Sequence, residues 1–132
     1  MSPEFVLDTD TVSMALRGQG AAGARLLEHR PSQLCLSSIT LAELRFGADS
    51  KGSRKLHTLI DTFVATIVVL PFDQMASDRF GRVATALAKR GQPLGTFDTL
   101  IAAHAQSLGL TLVTNNTRHF RRVAGLAVIN WI

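Results

Sequence analysis

The chain has 132 residues, 46% of them hydrophobic and 18% charged, with 14 Lys and Arg against 10 Asp and Glu for a formal charge of +4. This composition excludes a disordered chain, the length predicts a single domain over 1–132, and the scarcity of charge points to apolar surface covered by a partner chain. No run approaches the roughly 20 apolar residues that cross a bilayer, residues 1–6 lack the basic start and long apolar segment of a secretory signal, and the single Cys35 cannot close an internal disulfide; a soluble cytoplasmic protein without membrane attachment is expected.

Strand-like and helix-like runs alternate, the pattern of a parallel sheet covered by helices on both faces. In chain order the spacing predicts a strand near 4–8, helices over 11–17 and 21–29, a strand over 33–37 and helices over 39–48 and 53–65. A strand over 67–70, a long helix over 74–90, a helix over 97–108, a strand over 111–114, a helical turn near 118–122 and a last strand near 127–130 come next. Ala76, Phe80, Val83, Ala84 and Leu87 form one apolar stripe, and Ile101, Ala102, Ala105 and Leu108 another. Gly91, Pro93 and Gly95 separate these two helices, and Gly109 is placed to end the second. Cys35, between Leu34 and Leu36, reads as a small buried hydrophobe, and His104 as a packed or hydrogen-bonding residue.

Four acids stand at predicted strand ends and early helix turns. Asp8 closes the run Phe5-Val-Leu7, at the carboxyl edge of the first strand, where open α/β sheets bind their ligands. Asp10, next to Thr11 and Val12, is the better placed of the two to cap the following helix, so Asp8 is the stronger ligand candidate. Glu43 lies three residues after Thr40, which is also the spacing of a capping box. Its neighbours Leu41, Leu44 and Phe46 predict a largely buried helix, in which a carboxylate needs a counter-charge. Asp98 falls in the first turn after Thr96, where it suits the helix dipole, and shares a face with Ile101, Ala102 and Ala105. Carboxylates that meet at one sheet edge repel each other unless a hard divalent cation, Mg²⁺ or Mn²⁺, compensates them, and such a centre suits phosphodiester chemistry. No Cys/His zinc set or glycine-rich phosphate loop competes.

After Asp98 the chain has no acid, whereas Arg118, His119, Arg121 and Arg122 lie within five positions and Lys89 and Arg90 are paired upstream. These cations are candidates for phosphate contact, although a solvated helix face would look the same.

The segments Phe5-Val-Leu-Asp-Thr-Asp10, Leu36-Ser-Ser-Ile-Thr-Leu-Ala-Glu-Leu-Arg-Phe-Gly47, Gly95-Thr-Phe-Asp-Thr-Leu-Ile-Ala-Ala-His-Ala105 and Leu112-Val-Thr-Asn-Asn-Thr-Arg-His-Phe120 together span nearly the whole chain. In this order they resemble the PIN-domain ribonucleases, and within them the VapC toxins of bacterial toxin–antitoxin modules. The resemblance implies an α/β fold, a three-layer α/β/α sandwich with a central, mostly parallel sheet. It also implies a homodimer and Mg²⁺- or Mn²⁺-dependent endonucleolytic cleavage of RNA. It carries over Asp8, Glu43 and Asp98 as catalytic metal ligands, with Asn116 beside them and Thr9, Asp10, Ser38 and Asn115 in polar support. Such toxins are silenced by a VapB-like antitoxin chain that covers the acidic cleft, and reach operator DNA only within that complex. For the branch this chain most resembles, the implied substrate is structured RNA, with initiator tRNA cut in the anticodon loop. Two positions depart from the common pattern. Position 10 is Asp where these toxins usually have Asn or another neutral polar residue, and Asn115 and Asn116 stand where many PIN domains have an acid.

Two other readings fit parts of the chain. Phe5-Val-Leu-Asp-Thr-Asp-Thr-Val12 also matches the first motif of haloacid-dehalogenase-like phosphatases, but their chemistry needs a Lys and further metal-binding acids downstream, and here no Lys follows Lys89 and no acid follows Asp98. A non-catalytic nucleic-acid-binding module would use the acids only as helix caps and the basic tail as its contact.

Overall fold

The structure, a computed structural model, describes residues 2–131. Its elements run β1 (Phe5–Leu7), α1 (Thr9–Leu16), α2 (Ala22–Leu27), β2 (Leu34–Ser37), α3 (Ser38–Ser50), α4 (Arg54–Val64), β3 (Val68–Leu70), α5 (Gln74–Lys89), α6 (Thr96–Leu108), β4 (Thr111–Val113), α7 (Thr117–Phe120) and β5 (Val128–Ile129). A 3-10 turn at Pro31–Gln33 precedes β2. Every element expected from the spacing is present, and the 3-10 turn, begun by a proline with its φ preset, was not expected.

The five strands lie in the order β3-β2-β1-β4-β5, and every pairing is parallel, so the sheet is wholly rather than mostly parallel. Alternation along each strand divides the core in two. Val6, Cys35 and Leu112 point to the face covered by α5, α6 and α7, where they meet Val83, Leu87, Ile101, Ala102 and Phe120. Leu7, Leu34, Leu36 and Val113 point to the opposite face, against Val12, Leu26, Leu44, Ala48 and Ile60 of α1 to α4. Trp131 closes this second layer, stacked on His29 at 4.3 Å and edge-on to Phe5. The result is a three-layer α/β/α sandwich. Among the described residues no helix is long and apolar enough to cross a membrane.

The helix α3 is less buried than its leucines suggest: Thr40, Leu44 and Ala48 face inward, but Phe46 is 74% exposed. The spacing explains this, since position 46 lies half a turn from the 40/44/48 stripe. Gly109 ends α6 in the left-handed conformation at φ +68°, the C-cap expected of it. Cys35 is fully buried, and burial pushes its thiol up to about 11, so it is inert packing.

Candidate active site

In a sheet of order 3-2-1-4-5 the chain leaves β1 toward one side and β4 toward the other, so a crevice opens above the carboxyl ends of these two neighbours. Asp8 is the first residue beyond β1 and stands in that crevice. Its backbone N–H still bonds to Val113 of β4 at 3.0 Å, so the sheet fixes its Cα. It is also the N-cap of α1: Oδ1 accepts from the Thr11 N–H at 2.8 Å. The cap is therefore Asp8 and not Asp10, because Asp10 already lies inside the first turn. Thr114, the first residue after β4, hydrogen-bonds to Asp8 through its own side chain and is fully buried.

Three further acids reach the same region from different elements. Glu43 projects from the second turn of α3, and the Thr9 hydroxyl donates to its Oε1 at 2.7 Å. Asp98 sits in the first turn of α6, with His119 Nε2 of α7 3.2 Å from its Oδ2. Asp10 is exposed at the rim of α1. The capping-box reading of Glu43 is replaced: Ser37 caps α3 through the Ile39 N–H at 3.1 Å, which leaves Glu43 free to point at α1.

Asp10 acts electrostatically on each of the other three acids. Burial, chiefly, pushes the Asp8 carboxyl up to about 6, against the hydrogen bonds from Thr114 and Thr11, and the charge of Asp10 adds to the rise. Glu43 and Asp98 are also raised, first by burial and then by acids nearby: Asp98 and Asp10 act on Glu43, and Asp10 acts on Asp98. His119 alone opposes the trend at Asp98. Of the groups acting on these acids, only His119, beside Asp98, can bring positive charge.

The other candidates divide. The Ser38 hydroxyl accepts from the Phe72 N–H at 2.9 Å, tying α3 to the loop after β3, and among the described residues it makes no hydrogen bond to an acid of the site. Asn115 and Asn116 are exposed; the Asn115 carbonyl accepts from Asn130, and the Asn116 backbone donates to Thr114 Oγ1. Among the described residues neither asparagine side chain is bonded to an acid of the site. Lys89, Arg90, Arg118, Arg121 and Arg122 are exposed, with Arg90 donating to the Arg122 carbonyl. Thr114 and His119 are the site residues that motif reading missed. A threonine one position past a strand was the available signal for Thr114; for His119 the only signal was its place in the basic cluster.

This donor set fits a hard dication: oxygens only, partly buried, and mutually repelling. Among the described residues, no group of three His, Cys, Asp or Glu side chains forms a ready coordination sphere. An open site of that kind suits an ion that keeps part of its water shell and binds through one or two carboxylates, as Mg²⁺ does.

A three-layer α/β/α sandwich with a parallel sheet and an acid at the β1/β4 crevice defines an open α/β protein with its site at the carboxyl edge of the sheet. More narrowly, the PIN domain family model matches residues 5–126, and the chain belongs to that family. It is 39% identical to the tRNA(fMet)-specific endonuclease VapC of Shigella flexneri over 129 residues, 97% of this chain and 98% of that protein. In fold it is similar to a chain of the DNA-bound VapBC complex of Salmonella typhimurium, with a TM-score of 0.92, 34% identity and coverage of 98% and 99%. It is also similar to a chain of VapBC2 from Rickettsia felis bound to a promoter DNA fragment, with a TM-score of 0.86, 29% identity and coverage of 97% and 98%. The match assigns the Phe5–Val12 segment to the PIN family rather than to the haloacid-dehalogenase-like phosphatases.

Proposed function

We propose that this protein is a VapC-type endoribonuclease toxin, dependent on Mg²⁺ or Mn²⁺, that cuts structured RNA and is held silent by an antitoxin chain. The observation that carries the reading is the raised, buried Asp8 at the β1/β4 crevice, with the charge of Asp10 acting on Asp8, Glu43 and Asp98 alike. Asp8, Glu43 and Asp98 would hold the ion. When bound, it would offset charge on the phosphoryl group and lower the pKa of water.

The chain's own residues do the positioning. Thr11 and Thr114 hold Asp8, Thr9 holds one oxygen of Glu43, and His119 holds one oxygen of Asp98. Each acid so fixed needs little reorganisation when charge develops nearby, which is the economical way to stabilise a transition state. Arg118 and Arg121 are exposed on and just after α7, the helix that carries His119 to Asp98, and suit the phosphates near the cut. Initiator tRNA is the leading target, on the strength of the name carried by the Shigella relative.

A groove of about 420 Å³ between α1, α3 and α4 supports the antitoxin partnership. Leu16, Leu44, Leu56 and Leu59 line it, Arg17, Lys51 and Lys55 add positive charge, and Glu43 stands among its walls. A partner segment with apolar side chains for the groove and acids for its cations would fit there and reach the active site. Operator DNA would be met only through that partner, in line with the DNA-bound VapBC complexes. The low charge content and the exposed Leu27, Phe46 and Met75 support a homodimer.

The test is to incubate the purified chain with total tRNA in Mg²⁺ or Mn²⁺ and sequence the new 5′ ends, with and without the antitoxin. Discrete ends at one loop of one tRNA, lost in chelator and suppressed by antitoxin, are expected. RNA left intact under all metal conditions would favour the non-catalytic module.

A further inference from the structure

The net charge of the chain is unevenly divided. From Arg79 onward there are seven Lys and Arg and one acid, Asp98, whereas residues 1–78 carry seven Lys and Arg and nine acids. The whole positive excess therefore belongs to α5 and the elements C-terminal to it. Part of it is organised into a groove.

On α5 the buried side is Ala76, Val83 and Leu87. Beside it, Arg79, Arg82, Ala86 and Arg90 succeed one another at spacings of three or four, one above another along the helix. Arg79, Arg82 and Arg90 line one cavity of about 180 Å³, whose far wall is Gln106, Val123 and Ala124. The wall is tied in place: Gln106 Nε2 donates to the Ala124 carbonyl at 2.8 Å, Arg90 donates to the Arg122 carbonyl, and Arg122 Nη1 donates to the Pro93 carbonyl at 3.4 Å. Among the described residues, neither Arg79 nor Arg82 has a hydrogen-bond or ion-pair partner. Asp78 borders a smaller adjoining hollow with both of them. A cation row that the fold builds but does not neutralise is matched by an external polyanion.

The groove is also connected to the acids. Arg90 reaches Arg122, Arg122 comes just after α7 in the chain, and α7 carries His119 to Asp98. A phosphate chain leaving the carboxylates past Arg118 and Arg121 would meet this row next. We propose that the Arg79, Arg82 and Arg90 groove seats the phosphodiester backbone of the substrate RNA at a distance from the cut, so that a folded RNA is held better than a short strand. This rests on the endoribonuclease reading for its occupant, while the groove itself can be tested by binding alone.

The experiment compares the full chain with Arg79→Ala/Arg82→Ala and with Arg79→Lys/Arg82→Lys. Binding of total tRNA is followed by fluorescence anisotropy in chelator across a salt series, and cleavage of tRNA and of a short oligoribonucleotide in Mn²⁺. The alanine pair is expected to bind tRNA roughly tenfold more weakly, with the log–log salt slope reduced by about 2. Its KM for tRNA should rise while its kcat and its cleavage of the short strand stay unchanged, and the lysine pair should recover most of the affinity. Unaltered tRNA binding and KM would overturn the groove and leave the nuclease reading standing. Equal loss on both RNAs would also overturn it, and so would a loss confined to antitoxin binding. Arginine-dependent tRNA binding without cleavage of any RNA would keep the groove and remove the nuclease.

Discussion

Asp8 does two jobs that oppose each other. As the cap of α1 it stabilises the helix, yet it is only 4% exposed and its carboxyl is raised to about 6. A raised carboxylate pKa means that the folded state binds the proton more tightly than the unfolded chain. The folded metal-free protein therefore loses stability as pH rises from about 4 to about 6, and above that window the full penalty, on the order of 3 kcal/mol, is present. Asp8→Asn keeps the acceptor for the Thr11 N–H and removes the charge. In chelator it is expected to be more stable than the parent at pH 7.5 and equal to it near pH 4, as measured by urea unfolding; a difference independent of pH would contradict the account. Thr9 acts through Glu43, so Thr9→Val is expected to lower Mn²⁺ affinity by roughly 10- to 100-fold without changing the fold, as read by calorimetry. An affinity equal to the parent's would mean that the 2.7 Å bond does not orient Glu43.

Between elements, the contact that matters most is the one joining the helices of Glu43 and Asp98. His104 of α6 is 1% exposed, its Nδ1 lies 2.7 Å from Ser37 Oγ at the start of α3, and Phe72 packs edge-on against its ring. Ser37 Oγ accepts from the Ile39 N–H, and its own proton is free to donate to a neutral His104 ring at Nδ1. Burial lowers the His104 pKa, in keeping with a neutral ring. Ser37→Ala removes the cap of α3 and orphans a buried ring nitrogen, and is expected to cost about 2–3 kcal/mol by urea unfolding; a loss under about 0.5 kcal/mol would show that the link is idle. The strand and helix periods made these elements legible, because alternation and the 3.6-residue repeat are local properties. The meeting of Ser37 with His104, and of Thr114 with Asp8, depends on which strands become neighbours, and no local pattern encodes that. Phe46 shows the converse: its apolar character suggested burial, but its helical phase turns it outward.

At the scale of the molecule, the five-stranded parallel sheet brings the β1 and β4 ends together and the helices deliver the remaining acids. Asp8, Glu43 and Asp98 could be nominated from sequence because each sits beside an element boundary in a family pattern. Asn115, Asn116 and Ser38 were nominated on the same pattern, but the structure leaves them outside the hydrogen-bonded acidic set. Metal bound to this set stabilises the folded state, so Mn²⁺ at a hundredfold excess over its Kd is expected to raise Tm by roughly 10 °C, an effect absent in Asp8→Asn.

The most direct measurement is the initial rate of tRNA cleavage against Mn²⁺ concentration for the antitoxin-free parent and for Asp98→Asn, whose site is half-exposed and tolerant of the change. The account predicts a saturable, chelator-sensitive rate in the parent and a loss of at least about a hundredfold in the variant, with the thermal unfolding of the metal-free proteins alike. Cleavage by Asp98→Asn at the parent's rate, or a parent rate indifferent to chelator, would contradict it.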